Sequence, residues 1–266
     1  MRKAVFALLC GLLLCVQAAA QSPMVPGFPP GTFQSRAALD ATPAGGTPAF
    51  NWVAYQGNAF PPQGTSTSVG STSVGVACGT LTAGTTNIVG IQLYNETSDT
   101  ITPPAGWTQL GTSQTSLGSY YAWYWHVVGG GETCAYTFSW VNNVFNSWVI
   151  ANFTGTNATT PVDAASTTTP NGVTTNILCP ATGSLSNASS PDVLLLIMMT
   201  DDVTTLGTLA VPSDMTSRAL VTQASSGSIL MVASKALATA TSTTETITGA
   251  VAQSKLYPCL LVALKG

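Results

Sequence analysis

Charge is what this 266-residue chain has least of: only 6% of its residues are Asp, Glu, Lys or Arg, against about 25% in an ordinary globular domain. Seven basic residues face ten acidic ones, so there is no basic stripe to hold a phosphate backbone, and nucleic acid is not an expected partner. Histidine is scarcer still. His126 stands alone, which excludes a two-histidine zinc site and hangs any histidine-dependent mechanism on one residue. The chain also lacks a G-x-S-x-G nucleophile elbow, a C-x-x-C pair and a sustained apolar period of 3.6 residues. Accordingly no catalytic residue, metal or cofactor is expected, and a helical architecture is not. A net charge of −3 and a 45% hydrophobic content argue equally against disorder.

The first twenty residues read as an address. Arg2 and Lys3 precede an apolar stretch from Ala4 to Val16, and the segment closes on Ala18-Ala19-Ala20. That is the layout of a secretory signal peptide with a small-residue cleavage site, and the run is too short for a membrane-spanning helix. Export is therefore the expectation, with no transmembrane segment in the mature chain. Cleavage would remove Arg2 and Lys3, leaving five basic residues, and Cys10 and Cys15, leaving Cys78, Cys134, Cys179 and Cys259. Four cysteines in an exported protein suggest two disulfides, with three pairings open. Cys78 with Cys134 and Cys179 with Cys259 would keep each half of the chain self-contained.

Thr, Ser, Gly and Asn fill the mature chain, and short β-branched or aromatic runs recur between them. Many short strands joined by turns give an all-β fold, a two-layer antiparallel β-sandwich or jelly-roll. Residues 21–50 carry Pro23, Pro26, Pro29, Pro30, Pro43 and Pro48; they read as an extended arm or linker, since proline cannot serve a sheet ladder. The sandwich domain then spans 51–266. Its halves echo each other: Asn87–Leu93, Thr102–Thr108, an aromatic strand and Trp148–Phe153 are followed by Asp192–Ile197, Ala210–Thr216, Ser228–Lys235 and Leu260–Leu264. This order predicts an internal pseudo-repeat, with halves at about 70–165 and 166–266 and neither able to bury its core alone.

The run Thr102-Pro103-Pro104-Ala105-Gly106-Trp107-Thr108 resembles a "TPPAGWT" signature of a β-sandwich module in bacterial secreted proteins and in phage tail and virion-associated proteins. The likeness extends through Tyr124-Trp125-His126-Val127-Val128 and Pro161-Val162-Asp163 to Leu260–Leu264, covering about 70–266. His126 stands where the family usually has lysine, and the cysteines are not a family hallmark. The resemblance implies an accessory or adhesion module and brings no catalytic set with it.

Side chains alternate across a strand, so Ser119–Val128 presents Tyr121, Trp123 and Trp125 on one face and Tyr120, Tyr124 and His126 on the other. With the tryptophans inward, Tyr120, Tyr124 and His126 become an outward platform whose flat rings suit the C–H faces of sugars. Asp201, Asp202 and Asp214, or Glu96 and Asp99, are loop carboxylates without calcium-loop spacing. The expected function is a secreted, non-catalytic binding or adhesion module recognising extracellular glycans or a cell surface. One alternative is a structural, self-associating extracellular or virion-associated subunit; another is a secreted hydrolase using a carboxylate site not identified.

Overall fold

Threonine, valine and aromatic runs favour a pleated backbone because their branched or flat side chains pack across neighbouring strands. The computed structural model describes residues 48–57, 71–76, 78–94, 96–116, 118–133, 135–168, 171–172, 176–179, 192–200, 209–223, 228–237, 245–249 and 255–266. Among them every regular element is a strand, and no helix is long and apolar enough to cross a membrane. The first half supplies β1 (Ala49–Gly57), β2 (Ser71–Val76), β3 (Thr86–Leu93), β4 (Thr108–Ser116), β5 (Ser119–Val127), β6 (Tyr136–Val144) and β7 (Asn146–Thr154). There follow β8 (Val162–Thr168), β9 (Asn171–Gly172), β10 (Asn176–Cys179), β11 (Asp192–Thr200) and β12 (Leu209–Ala210). The chain closes with β13 (Thr216–Gln223), β14 (Ser228–Leu237), β15 (Glu245–Gly249), β16 (Lys255–Leu256) and β17 (Cys259–Leu264).

Two five-stranded antiparallel sheets carry the fold, ordered β1-β7-β3-β5-β4 and β8-β17-β11-β14-β13. Position by position the second order repeats the first, so the internal pseudo-repeat is present. The two sheets pack face to face. Phe50, Ile88, Tyr121, Trp123, Val149 and Phe153 of one interleave with Val193, Leu195, Ile197, Leu230, Leu260 and Val262 of the other. Each outer face then receives a smaller sheet: β2-β6 over the first, β10-β15-β12 over the second. The sandwich of the sequence reading is the centre of a four-layer stack. β11, continuously apolar from Val193 to Met199 and buried along its whole length, is the strand that such double cover requires.

Three of the longer strands escape the sequence reading, as do the two-residue β9, β12 and β16. β4 and β8 are rich in Thr and Ser, with few of the apolar residues that mark a buried strand. β1 was hidden by the prolines before it: Ala49 and Phe50, the last residues of the expected arm, pair with Thr154 and Phe153. Residues 1–47, including the expected signal peptide, lie outside the described residues. The halves also divide elsewhere than expected. β1 belongs to the first sheet and β8 to the second, so the boundary falls between Thr154 and Val162.

Repetition reaches single hydrogen bonds. Trp107 N–H donates to the Pro104 carbonyl, and Met215 N–H to the Pro212 carbonyl, closing the same turn twice. Trp107 and Met215 then enter the two outer cores. Cys179 and Cys259 form a disulfide that ties the second outer sheet to the central one. Cys78 is disulfide-bonded as well; Cys134, its expected partner, lies outside the described residues.

Candidate functional site

Tyr120, Tyr124 and His126 do share one face of β5, but that face is not open. Strand β6, which pairs with β2 in the outer sheet, alternates Tyr136, Phe138 and Trp140 toward it, and three large rings need an apolar surface to cover. Tyr120 and Tyr124 are buried in the resulting core, and the Tyr124 hydroxyl donates to the Ile101 carbonyl at 3.0 Å. Burial, then the neighbouring Tyr120, pushes the Tyr124 phenol upward in pKa. The outward platform is therefore corrected: a sugar cannot reach these rings. The Tyr-x-Phe-x-Trp alternation of β6 was the sequence signal that this face is covered. Trp123 and Trp125 do point to the central interface, Trp123 fully buried and Trp125 partly.

His126, half-buried, ends up as a bracket. Its ring stacks on Trp107 at 5.1 Å between centroids, which itself meets Tyr136 and Phe138 edge-on. Nδ1 lies 3.0 Å from the Gly106 carbonyl oxygen, and Nε2 lies 2.8 Å from Glu132 Oε1. Gly106, at φ 85°, provides the left-handed turn that aims its carbonyl at the ring. Glu132 also accepts from Gly129 N–H. Burial works against its charge, but hydrogen bonds from Gly129, His126 and Tyr136 outweigh burial and hold it below the usual carboxylate range. Beyond Tyr136 a buried polar chain continues: Asn87 Nδ2 donates to the Tyr136 hydroxyl, Asn152 Nδ2 to Asn87 Oδ1, and Asn51 Nδ2 to Asn152 Oδ1. Both ring nitrogens are thus engaged by the protein itself, and the corner holds the Pro104–Trp107 turn onto the sheet.

The loop carboxylates have a different task. Glu96 Oε1 accepts from Ser98 N–H at 2.7 Å, Ser98 hydroxyl at 2.8 Å and Asp99 N–H at 3.0 Å, while Oε2 accepts from Asn142 Nδ2 at 2.7 Å. Asp99 Oδ2 accepts from the backbone N–H of Val141 at 2.9 Å and of Asn142 at 2.7 Å. Hydrogen bonds from Ser98 backbone and side chain, then Asn142, lower the Glu96 pKa to about 2. The two acids fix the β6–β7 corner from beneath, and Tyr94 N–H donates to the Phe145 carbonyl beside it.

What that corner presents is apolar. Val141 is 79% exposed and Phe145 40% exposed, with Asn142 and Asn143 exposed between them. Sequence reasoning passed over this segment; the available signal was an aromatic residue inside the asparagine-rich run Asn142–Asn146. Asp214 is engaged by Lys235 at 2.6 Å, and Asp201 and Asp202 lie outside the described residues. No protein-family model, curated protein or solved structure matches the chain.

Proposed function

We propose that this chain is an exported, non-catalytic binding module that attaches to extracellular glycans on a cell surface through its β6–β7 corner. The observation that carries the reading is the exposure of Val141 and Phe145 on a backbone that Glu96 and Asp99 hold in place. A large exposed apolar group on a rigid support loses little freedom when a ligand covers it. The Phe145 ring offers a flat face for a sugar, and the amides of Asn142 and Asn143 offer partners for hydroxyls. Export is supported by the leader-like segment and by disulfide-bonded cysteines. The resemblance to secreted and virion-associated sandwich modules points the same way.

A glycan array read with the wild type and with Phe145→Ala tests this. Binding that Phe145→Ala abolishes at an unchanged melting temperature is the expected result; an empty array, or binding indifferent to Phe145, overturns the reading. A second reading, a self-associating subunit, is favoured by Leu220, 42% exposed on β13 at the end of its sheet. An unpaired sheet edge with an apolar side chain is a template for another copy. Concentration-dependent light scattering that Leu220→Lys eliminates would favour it over the first.

A further inference from the structure

At one end of the second central sheet, three ionisable residues meet on neighbouring strands. Val193 pairs with Leu264, so Asp192, the first residue of β11, stands beside Lys265, the residue just after β17. On the other flank of β17, a bulge in the β8 pairing skips Asp163, with Ala263 opposite Ala164 and Leu264 opposite Val162. Bulges re-aim a side chain, and this one brings Asp163 Oδ1 to 3.7 Å from Lys265 Nζ.

The surroundings are those of a reaction site rather than of a surface ion pair. The Asp163 side chain is 2% exposed and that of Lys265 21%, while Asp192 is 3% exposed. Neither Asp192 oxygen meets a hydrogen-bond donor of good geometry. Burial, then the adjacent Asp163 charge, pushes Asp192 up to about 6, with Lys265 opposing. Lys235–Asp214 shows the ordinary alternative: 2.6 Å apart, with Asp214 61% exposed. Lys265 is also pinned, since its N–H donates to the Pro161 carbonyl and its carbonyl accepts from Asn157 N–H. In the first half the equivalent positions hold Asn51, Thr85 and Thr154, which include no amine.

We propose that Lys265 and Asp163 become joined by an intramolecular isopeptide bond between Nζ and Cγ, with Asp192 relaying the protons. The ammonium of Lys265 gives one proton to the Asp163 carboxylate, which frees the nitrogen lone pair. Nζ attacks Cγ, and the C–N bond forms as the carbonyl opens to a tetrahedral carbon. Neutral Asp192 donates its proton to the departing hydroxyl, the C–O bond breaks, and water leaves. Asp192 then recovers a proton from the nitrogen. Of the ammonium's three hydrogens one remains on the amide and two depart in the water, whose oxygen comes from Asp163; nothing is oxidised or reduced. Fixed proximity replaces an encounter in solution. A buried charged pair is costly, and the amide replaces it with a neutral bond while releasing water to solvent. The bond would close the second half from its first strand, β8, to its last, β17.

The test is the mass of the purified, disulfide-reduced, unfolded chain, with its N-terminus determined. The wild type is expected to fall short of its sequence mass by one water, and a protease digest to yield a branched peptide joining the Asp163 segment to Lys265. Lys265→Arg and Asp163→Ala are expected to restore the full mass, and Asp192→Asn to restore it or slow the loss on a folded chain, checked by its far-ultraviolet spectrum. A wild type of full mass with no branched peptide overturns the proposal. So does a deficit that survives Lys265→Arg, because it would then be a cyclic imide at an aspartate.

Discussion

Glu96 and Asp99 show how a few polar atoms set a surface in a chain with so few charges. Each carboxylate is consumed by donors from the segments it joins, so neither is available as a solvated charge. The folded state holds Glu96 at about 2 against an ordinary value of 4.5, so it binds fewer protons than the unfolded chain. Its stabilisation is therefore complete above about 4.5 and disappears as pH falls from there toward 2. Thermal melting followed over that range should show a falling midpoint, and Glu96→Gln should flatten that fall. Asp99→Ala leaves the N–H groups of Val141 and Asn142 without their acceptor. A loss of about 1–3 kcal/mol is expected in denaturant titration. Gly90 is fixed for another reason: a Cβ there would lie 3.0 Å from both Met199 Sδ and Trp123 Cδ1. Gly90→Ala should cost about 1–3 kcal/mol by overpacking the joint between the central sheets.

At the scale of elements, the two copies of one turn use different chemistry for the same job. In the first half Trp107 and His126 stack over the turn; in the second, Met215 fills the core and Lys235 reaches Asp214. Register makes the comparison firm, since Thr108 faces Trp125 and Thr216 faces Ser234, which places His126 and Lys235 at matching positions. Trp107 holds Tyr136, Phe138 and His126 together, whereas Met215 makes no such ring cluster. Trp107→Ala should therefore cost about 3–5 kcal/mol and loosen β6 from the sheet, visible as faster hydrogen exchange across Tyr136–Trp140. The alternation along β5 was legible from sequence as two faces. Which face met solvent was not, because it depended on β6 folding back over Tyr120 and Tyr124.

The whole molecule is two copies of one sandwich set back to back, and its central core belongs to neither. Phe50, Trp123 and Phe153 are covered by Leu195, Leu260 and their neighbours, so either half alone would expose one complete sheet face. Residues 48–157 expressed alone should run as a dimer or aggregate, never as a monomer, in size-exclusion chromatography with light scattering. The edges are closed by polar clasps: Thr167 hydroxyl donates to the Thr112 carbonyl at 2.7 Å on one side, and the Arg218 guanidinium lies 4.5 Å above the Phe50 ring on the other. The Cys179–Cys259 disulfide spans 80 residues. Replacing both cysteines by alanine should cost roughly 2–4 kcal/mol by releasing that constraint on the unfolded chain.

By itself the sequence determined the all-β class and the duplicated plan. These follow from local pattern: period-two alternation, turn residues and repeated order are properties of neighbouring residues along the chain. Only the tertiary structure decided that each central sheet has a second cover, that Tyr120, Tyr124 and His126 lie beneath β6, and that Val141 and Phe145 stand exposed instead. It alone brought Asp163, Asp192 and Lys265 together, because a bulge in β8 and the register of β17 are set by contacts between segments distant in sequence. Burial and juxtaposition are relations between strands, and no strand carries them alone.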